Sequence, residues 1–393
     1  MDLTPLTDRL DFDGTSDAEA FARGAPARWA VYLFADADDR PIQLLCVKNL
    51  RASLRRRLGG GEVVEAATVS RKVDYRQIVR RVHYRRVDSG FEADLVYLDA
   101  ARASFPGSYQ KLAGLRPAWF VHVDPASAFP RWIKSEEPTA GPGEWFGPLP
   151  SKDSAAGLVA SLEDWFDLCR YHEILTKAPS GRACAYKEMG RCPAPCDGSV
   201  SMPQYRVQVE YSMSALIDPG DFIRQQQRRM QAAATELKFE SAAKIRQFVD
   251  SLSSLGKGDL RYVRRLRDLR FLSLQAGATG RSARAFLITP GRVDAIGDLP
   301  DGPGSAPGLI REALLRAESA GAAPDSIGLE RIGVVTHHLF SRKPSGVFLP
   351  LDTLDERTLA AGYRELQRQR QPDAAETLGD EGDEGVQRQL QAS

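Results

Sequence analysis

Four of the chain's five cysteines, Cys169, Cys184, Cys192 and Cys196, fall within 28 residues, with fourteen, seven and three residues between successive thiols. Four thiolates so close in sequence can close a tetrahedral zinc site or hold an iron–sulfur cluster, and either would fold the intervening loop round the metal. Pro193 and Pro195 stiffen the last part of that loop, and Arg182, Lys187 and Arg191 favour the anionic thiolate. Spacing alone leaves zinc and iron–sulfur open. The start of the chain, MDLTPLTDRLDFDG, is acidic and polar, unlike a secretory signal. A metal site is therefore preferred to a disulfide framework, and a cytoplasmic location is expected. Cys46 stands apart in an apolar run and reads as a small core residue.

The rest of the chain divides around this loop. A length of 393 residues suggests two to three domains. Residues 1–27 are weakly patterned and read as a disordered arm. Residues 28–112 read as a compact α+β unit. It has a β-hairpin from Trp29–Phe34 and Ile42–Val47, a short basic helix from Asn49 to Leu58 ended by glycines 59–61, and a helix from Phe91 to Ala103. Residues 113–220 read as a proline-rich linker, an amphipathic helix from Ser151 to Cys169 and the cysteine region. Residues 221–256 read as a helical hairpin broken at Leu237-Lys238-Phe239-Glu240, with Met230, Ala234, Leu237, Ile245, Phe248 and Leu252 along one apolar stripe. Residues 257–355 read as a small α/β domain: a basic helix over Tyr262–Leu274, a strand over Ala285–Ile288, a helix over Leu309–Glu318 and a strand-like run at Ile332–Val335. Residues 356–393 read as a helix end and a disordered acidic tail. The fold class is α+β and multidomain.

The formal net charge is only +1, from 53 Lys and Arg against 52 Asp and Glu, which excludes a uniformly basic or acidic surface. Locally the balance is uneven. Lys48 to Arg86 holds twelve basic residues against three acids, and Pro372 to Ser393 holds six acids against one arginine. The first stretch, with Lys48, Arg51, Arg55, Arg56 and Arg57 at its start, is suited to phosphates and makes these residues candidate DNA contacts; the second repels them. No apolar run approaches the ~18 residues of a membrane span.

The run WFGPLPSKDSA, then Cys169, then ACAYKEMGRCPAPCDG resembles the middle region of UvrC, the nuclease subunit of bacterial nucleotide excision repair. Glycine-arginine-cysteine, the proline pair and all four cysteine positions are shared. In that family the four cysteines hold a [4Fe–4S] cluster, so the resemblance favours iron–sulfur, with zinc the alternative. MQAAATELKFESAAKIRQFVDSL resembles the family's UVR motif, a helical hairpin that pairs with a hairpin of UvrB. The resemblance thus implies a UvrB-like partner reached through Met230, Leu237, Phe239, Ile245, Phe248 and Leu252. The N-terminal unit is similar to the GIY-YIG nuclease domain, a small α/β sandwich. Ala30-Val31-Tyr32 stands at the GIY element, and Val47-Lys48-Asn49-Leu50-Arg51 follows an alanine–lysine–asparagine–leucine–arginine segment.

The GIY-YIG mechanism uses a tyrosine to activate water, an arginine to steady the phosphate and a glutamate to hold one divalent metal. Tyr32 keeps the first tyrosine. The second falls at Gln43, the YIG glycine at Leu45, the following lysine at Cys46, the arginine at Ser53, the metal glutamate at Asp99 and a late asparagine near Gln110. A neutral amide is a poor base and a serine carries no charge for the phosphate. Each such loss costs roughly 10²–10³ in rate. The expectation is a relict site at Tyr32 and Asp99: a pseudo-nuclease that binds DNA and a UvrB-type partner. The alternative is a divergent endonuclease, with Mg²⁺ or Mn²⁺ at Asp99 and Arg51 or Arg55 in place of the lost arginine. A third possibility is a UVR-type adaptor unconnected with DNA. The family's RNase H-like nuclease and helix-hairpin-helix repeats have no counterpart here. His337-His338 reads as ordinary polar residues at an element end.

Overall fold

The computed structural model describes residues 5–59, 74–114, 116–300, 302, 304, 306–318, 324–343 and 345–370. The acidic tail and glycines 60 and 61 lie outside the described residues. The described residues are α+β, with three four-stranded antiparallel sheets.

The first sheet has the order β1-β4-β2-β3, from β1 (Asp8–Asp11), β2 (Ala30–Ala35), β3 (Pro41–Val47) and β4 (Arg81–Arg86). Helices α1 (Ala18–Arg23), α2 (Leu50–Leu58) and α3 (Tyr75–Ile78) accompany it, followed by α4 (Gly90–Ser104) and α5 (Tyr109–Ala113). Strand β2 is buried along its whole length, so its alternation sorts residues between two cores rather than between core and water. Ala30, Tyr32 and Phe34 face α1 and α2. Val31 and Leu33 face Ala93, Val96, Ala100 and Ala101 of α4. The arm expected over residues 1–27 is instead built into this unit from β1 onward. Strand β1 pairs with β4 through main-chain bonds, and α1 buries Ala18 and Ala22 beside Phe12. Main-chain pairing and small alanines leave almost no periodic signal.

The second sheet has the order β6-β5-β7-β8, from β5 (Trp119–Val123), β6 (Ile133–Ser135), β7 (Glu144–Leu149) and β8 (Arg264–Arg265). The proline-rich stretch read as a linker thus supplies three strands. Pro148 sits within β7, where a register shift between Trp119 and Val121 of β5 accommodates it. Between β7 and β8 run α6 (Lys152–Trp165), α7 (His172–Leu175), α8 (Ala185–Glu188), α9 (Met202–Ile217), α10 (Pro219–Thr235) and α11 (Phe239–Ser251). Leu158 and Leu162 of α6, Tyr205 and Val209 of α9, and Val121 and Phe146 of the sheet form one core.

The third sheet has the order β11-β10-β9-β12, from β9 (Phe271–Ala276), β10 (Ala283–Thr289), β11 (Arg292–Leu299) and β12 (Val347–Pro350). Helices α12 (Ala306–Glu318) and α14 (Glu356–Arg370) cover one face, and α13 (Ser326–Leu339) packs on the other. Two expectations fail here. Tyr262–Leu274 is short turns and strand, not a helix, and Leu272 and Leu274 pair with Leu287 and Ala285 across the sheet. Ile332–Val335 lies inside α13, not in a strand. Asp325 caps that helix by accepting from Gly328 N at 2.7 Å, and burial of Ile332 and Val335 overrides their local β preference. Helix α14 belongs to this domain, since Leu359 and Leu366 lie in its core.

The units share a core. Phe91, Leu95 and Leu98 of α4 meet Phe120 of β5, Phe271, Phe286 and Ile288 of the third sheet, and Ile332, Val335 and Leu339 of α13. No helix among the described residues is long and apolar enough to cross a membrane.

Candidate functional site

The cysteine loop is anchored from below by α9. Tyr205 is fully buried, and its hydroxyl accepts from the main-chain N of Cys169 at 3.0 Å. Burial keeps that phenol protonated. Arg170 stacks over the Tyr186 ring at 4.2 Å, donates to the carbonyl of Arg191 at 3.0 Å, and pairs with Asp164. These contacts fold the loop back so that Cys192 approaches Cys169. Gly181 N donates to the Cys196 carbonyl at 2.8 Å, which closes the other side. Lys187 pairs with Asp197 at 2.5 Å, and this contact first of all holds the Asp197 carboxyl far below its usual range.

Cys169, Cys192 and Cys196 are buried, and Cys184 is half-buried. Cys169 Sγ donates to the Tyr171 carbonyl at 3.6 Å, and the neighbouring Cys192 thiol and burial raise the Cys169 thiol above its usual range. Burial, then Asp197 and the neighbouring Cys192 and Cys184, raise Cys196. Among the described residues, no three His, Cys, Asp or Glu side chains stand close enough together to hold an ion as placed. The donor set nonetheless fits a soft metal centre. Three of its thiols, Cys169, Cys192 and Cys196, are buried in one loop with Cys184 half-buried beside them, and soft thiolate ligands of this kind suit a metal in place of protons.

In the N-terminal unit, the structure brings some expected residues together and separates others. The Tyr32 hydroxyl lies 2.9 Å from Ser53 Oγ, the position at which the resemblance puts an arginine. Tyr32 is fully buried, and burial pushes its phenol up to about 12. Gln43 stands opposite Phe34, on the same face as Tyr32, and its buried Oε1 has no partner among the described residues. Asp99 is on α4, across the sheet from Tyr32. There it accepts from Arg331 of α13 at 3.1 and 3.2 Å and from Arg102 at 3.4 Å. Arg102 also pairs with Glu330, which accepts from Tyr109 at 2.7 Å and from Gln110 at 3.3 Å. Burial opposes the Glu330 charge, but the bonds from Tyr109, Arg102 and Gln110 outweigh it and hold the carboxyl below its usual range.

Of the expected DNA contacts, Lys48, Arg51, Arg55 and Arg56 are exposed. Arg51 donates to the Ala25 carbonyl at 2.9 Å, and Arg55 pairs loosely with Glu19 at 3.7 Å. Arg57 is buried at 5% exposure, and its Nε and Nη1 have no partner among the described residues. It lies one helical turn after Ser53, on the Tyr32 side. That four-residue step was visible in the sequence; the positions of Glu330 and Arg331 against α4 were not.

The hairpin of α10 and α11 divides into a packed base and an exposed tip. Phe222 and Phe248 meet Phe166 at ring separations of 6.0 and 5.4 Å, and Leu252 is fully buried. Phe248 and Leu252, expected to face a partner, thus serve the chain's own core because α6 and α9 reach them first. At the tip, Leu237 takes φ +61° to reverse the chain and is 73% exposed, and Phe239 is 65% exposed. Met230 and Ile245 are half-buried.

His338, in the last turn of α13, is buried and lies 2.9 Å from Asp94 and 3.2 Å from Ser345 Oγ. Cys46 accepts from Trp29 Nε1 at 3.2 Å at the edge of the α4-side core.

Residues 118–215 match the family model of the UvrC/Cho excinuclease middle domain. That span contains β5 to β7, the cysteine loop and most of α9. Similar curated proteins are the UvrABC system protein C of Syntrophomonas wolfei, 28% identical over 44% of this chain and 29% of the relative. The protein of the same name from Geobacter sp. strain M21 is 24% identical over 69% of this chain and 43% of the relative. That of Aquifex aeolicus is 28% identical over 62% and 41%. The chain thus spans less than half the length of the curated relatives it matches. No solved structure matches it.

Proposed function

We propose that this UvrC-like protein acts in nucleotide excision repair as a non-cleaving component that binds DNA and a UvrB-type partner. The observation that carries the non-cleaving reading is the fate of its two relict catalytic residues. Tyr32 is sealed against Ser53, and Asp99 is neutralised by two arginines on the opposite face of the same sheet. A buried phenol with a raised pKa is a poor base, and a carboxylate committed to guanidinium groups has little charge left for a divalent metal. The exposed Lys48, Arg51, Arg55 and Arg56 supply the backbone contacts to DNA, and Leu237 and Phe239 at the hairpin tip supply the apolar contact to the partner. The N-terminal unit is a degenerate GIY-YIG domain in this reading, and α10–α11 a UVR hairpin.

The test uses damaged duplex DNA loaded with UvrA and UvrB, incubated with this chain and Mg²⁺ or Mn²⁺. The expected result is a stable ternary complex, an affinity that falls steeply with salt, and no nick. Leu237→Asp with Phe239→Asp should abolish recruitment while leaving the melting temperature unchanged, because both side chains are exposed. A specific nick lost in Asp99→Ala would establish the other reading, a divergent metal-dependent endonuclease. That reading has one observation in its favour: Arg57, buried one turn from Ser53 beside Tyr32, could stand in for the missing arginine.

We further propose that Cys169, Cys184, Cys192 and Cys196 hold a [4Fe–4S] cluster, with zinc the alternative. Bound there, it would tie residues 169–198 together as a structural staple. Iron and acid-labile sulfide in anaerobically purified protein, both lost in Cys196→Ser, are the expected result; zinc without sulfide would assign the alternative.

A further inference from the structure

Between the N-terminal unit and α13 lies an open cavity of about 440 Å³, lined by Arg85, Val96, Asp99, Arg102, Ala103 and Arg331. Three guanidinium groups face one lining carboxylate. Asp99 engages Arg331 and Arg102, and Glu330, behind the wall, takes a second share of Arg102. Arg85 stands on the α4 side of β4, opposite Val31, and makes no hydrogen bond or ion pair among the described residues. Arg102 Nε is buried there without a partner. The cavity therefore has a surplus of positive charge and one guanidinium, Arg85, without a partner among the described residues, and it is large enough for a nucleotide-sized group. At the position where the resemblance expects a carboxylate to attract a cation, the surroundings favour an anion.

We propose that this cavity binds a phosphate group. Arg85 presents a planar fork that matches phosphate oxygens, and Arg102 and Arg331, held by Glu330 and Asp99, add positive charge on the other sides. Asp99 acts here as a positioning residue and weak competitor, not as a metal ligand. The phosphate could be free, at the end of a nucleic acid or part of its backbone. The chemistry is shared, and the probes below separate the sources. The proposal rests on the non-cleaving reading, in which Asp99 holds no metal.

The test is calorimetric titration of the full chain, in physiological chloride, with inorganic phosphate and with a dinucleoside monophosphate that has only an internal phosphodiester. Saturable phosphate binding is expected. Arg85→Ala should weaken it by about tenfold or more, the loss of a charged hydrogen bond, with an unchanged melting temperature, since Arg85 has no partner to lose. Arg85→Lys should recover part of the affinity. Asp99→Asn, which keeps an acceptor for Arg331 but removes the competing charge, should bind phosphate more tightly; a metal-binding role for Asp99 predicts no such gain. Competition by the dinucleotide would assign the site to a nucleic-acid backbone, and response to inorganic phosphate alone would assign it to a free or terminal phosphate. No saturable binding of either probe, or undiminished affinity in Arg85→Ala, would overturn the proposal.

Discussion

Arg284→Ala is expected to destabilise the association of the N-terminal and C-terminal units by about 3 kcal/mol, the low end of the range for stripping the partner from a buried charge. Arg284, on β10, donates to Glu92 of α4 at 2.6 Å and to Asp298 of β11 at 2.9 Å, and approaches Asp88 at 3.9 Å. The Glu92 side chain is only 4% exposed, whereas that of Arg284 is 27% exposed, so the penalty falls on the carboxylate left behind. Glu92 also accepts from Asp88 N at 3.1 Å, so it cannot swing out without uncapping the start of α4. Urea denaturation should show an earlier first transition in the alanine variant. Glu92→Gln in the same chain should restore most of the loss, because the buried charge is gone. An unchanged first transition would mean that the apolar contacts of Phe91, Leu95 and Leu98 hold the units together unaided.

Phe166→Ala should cost about 3–5 kcal/mol, the usual range for emptying a buried phenylalanine site. The Phe166 ring is 4% exposed and stands edge-on to Tyr211 of α9 and Phe248 of α11, with Phe222 of α10 also in contact. One side chain thus joins the helix before the cysteine loop to both arms of the hairpin. Hydrogen exchange should accelerate across Phe222–Phe248 while the first and third sheets keep their protection. The contrast with the tip is the informative part. Leu237→Asp should leave stability unchanged, because burial ends where the two helices leave α6 and α9. If the tip variant destabilised the free chain as strongly as the base variant, the hairpin would be packed against its own protein and unavailable to a partner.

Several features were written locally and could be read without the fold. The cysteine spacing marked out the loop, and the four thiols lie in it. Helix α6 followed from its apolar period, and the break at Leu237 followed from the interrupted stripe of the hairpin. The short basic helix read from Asn49 is α2, with Asn49 as its cap, accepting from Ala52 N at 3.0 Å. Each of these rests on interactions within a few residues, which is the range over which sequence pattern carries information.

Other features needed the tertiary structure. Strands β2, β9 and β10 are buried on both faces, so alternation does not separate core from water. The β-branched run in α13 becomes helical because the third sheet offers a surface for it to cover. Strand β1 exists through pairing with β4, some seventy residues later. The surroundings of Tyr32 and Asp99 were the least legible of all. That the resemblance aligns Asp99 with the family's metal glutamate needed only the run of one helix. That it faces Arg331, 232 residues away, rather than Tyr32, 67 residues before it, depended on which face of the sheet α4 covers and on what packs behind α4. The sequence determined which residues could carry charge, metal or an apolar tip, because those are properties of side chains and short segments. Only the tertiary structure decided which charges meet, because that is set by long-range packing of units whose shared core is drawn from all parts of the chain.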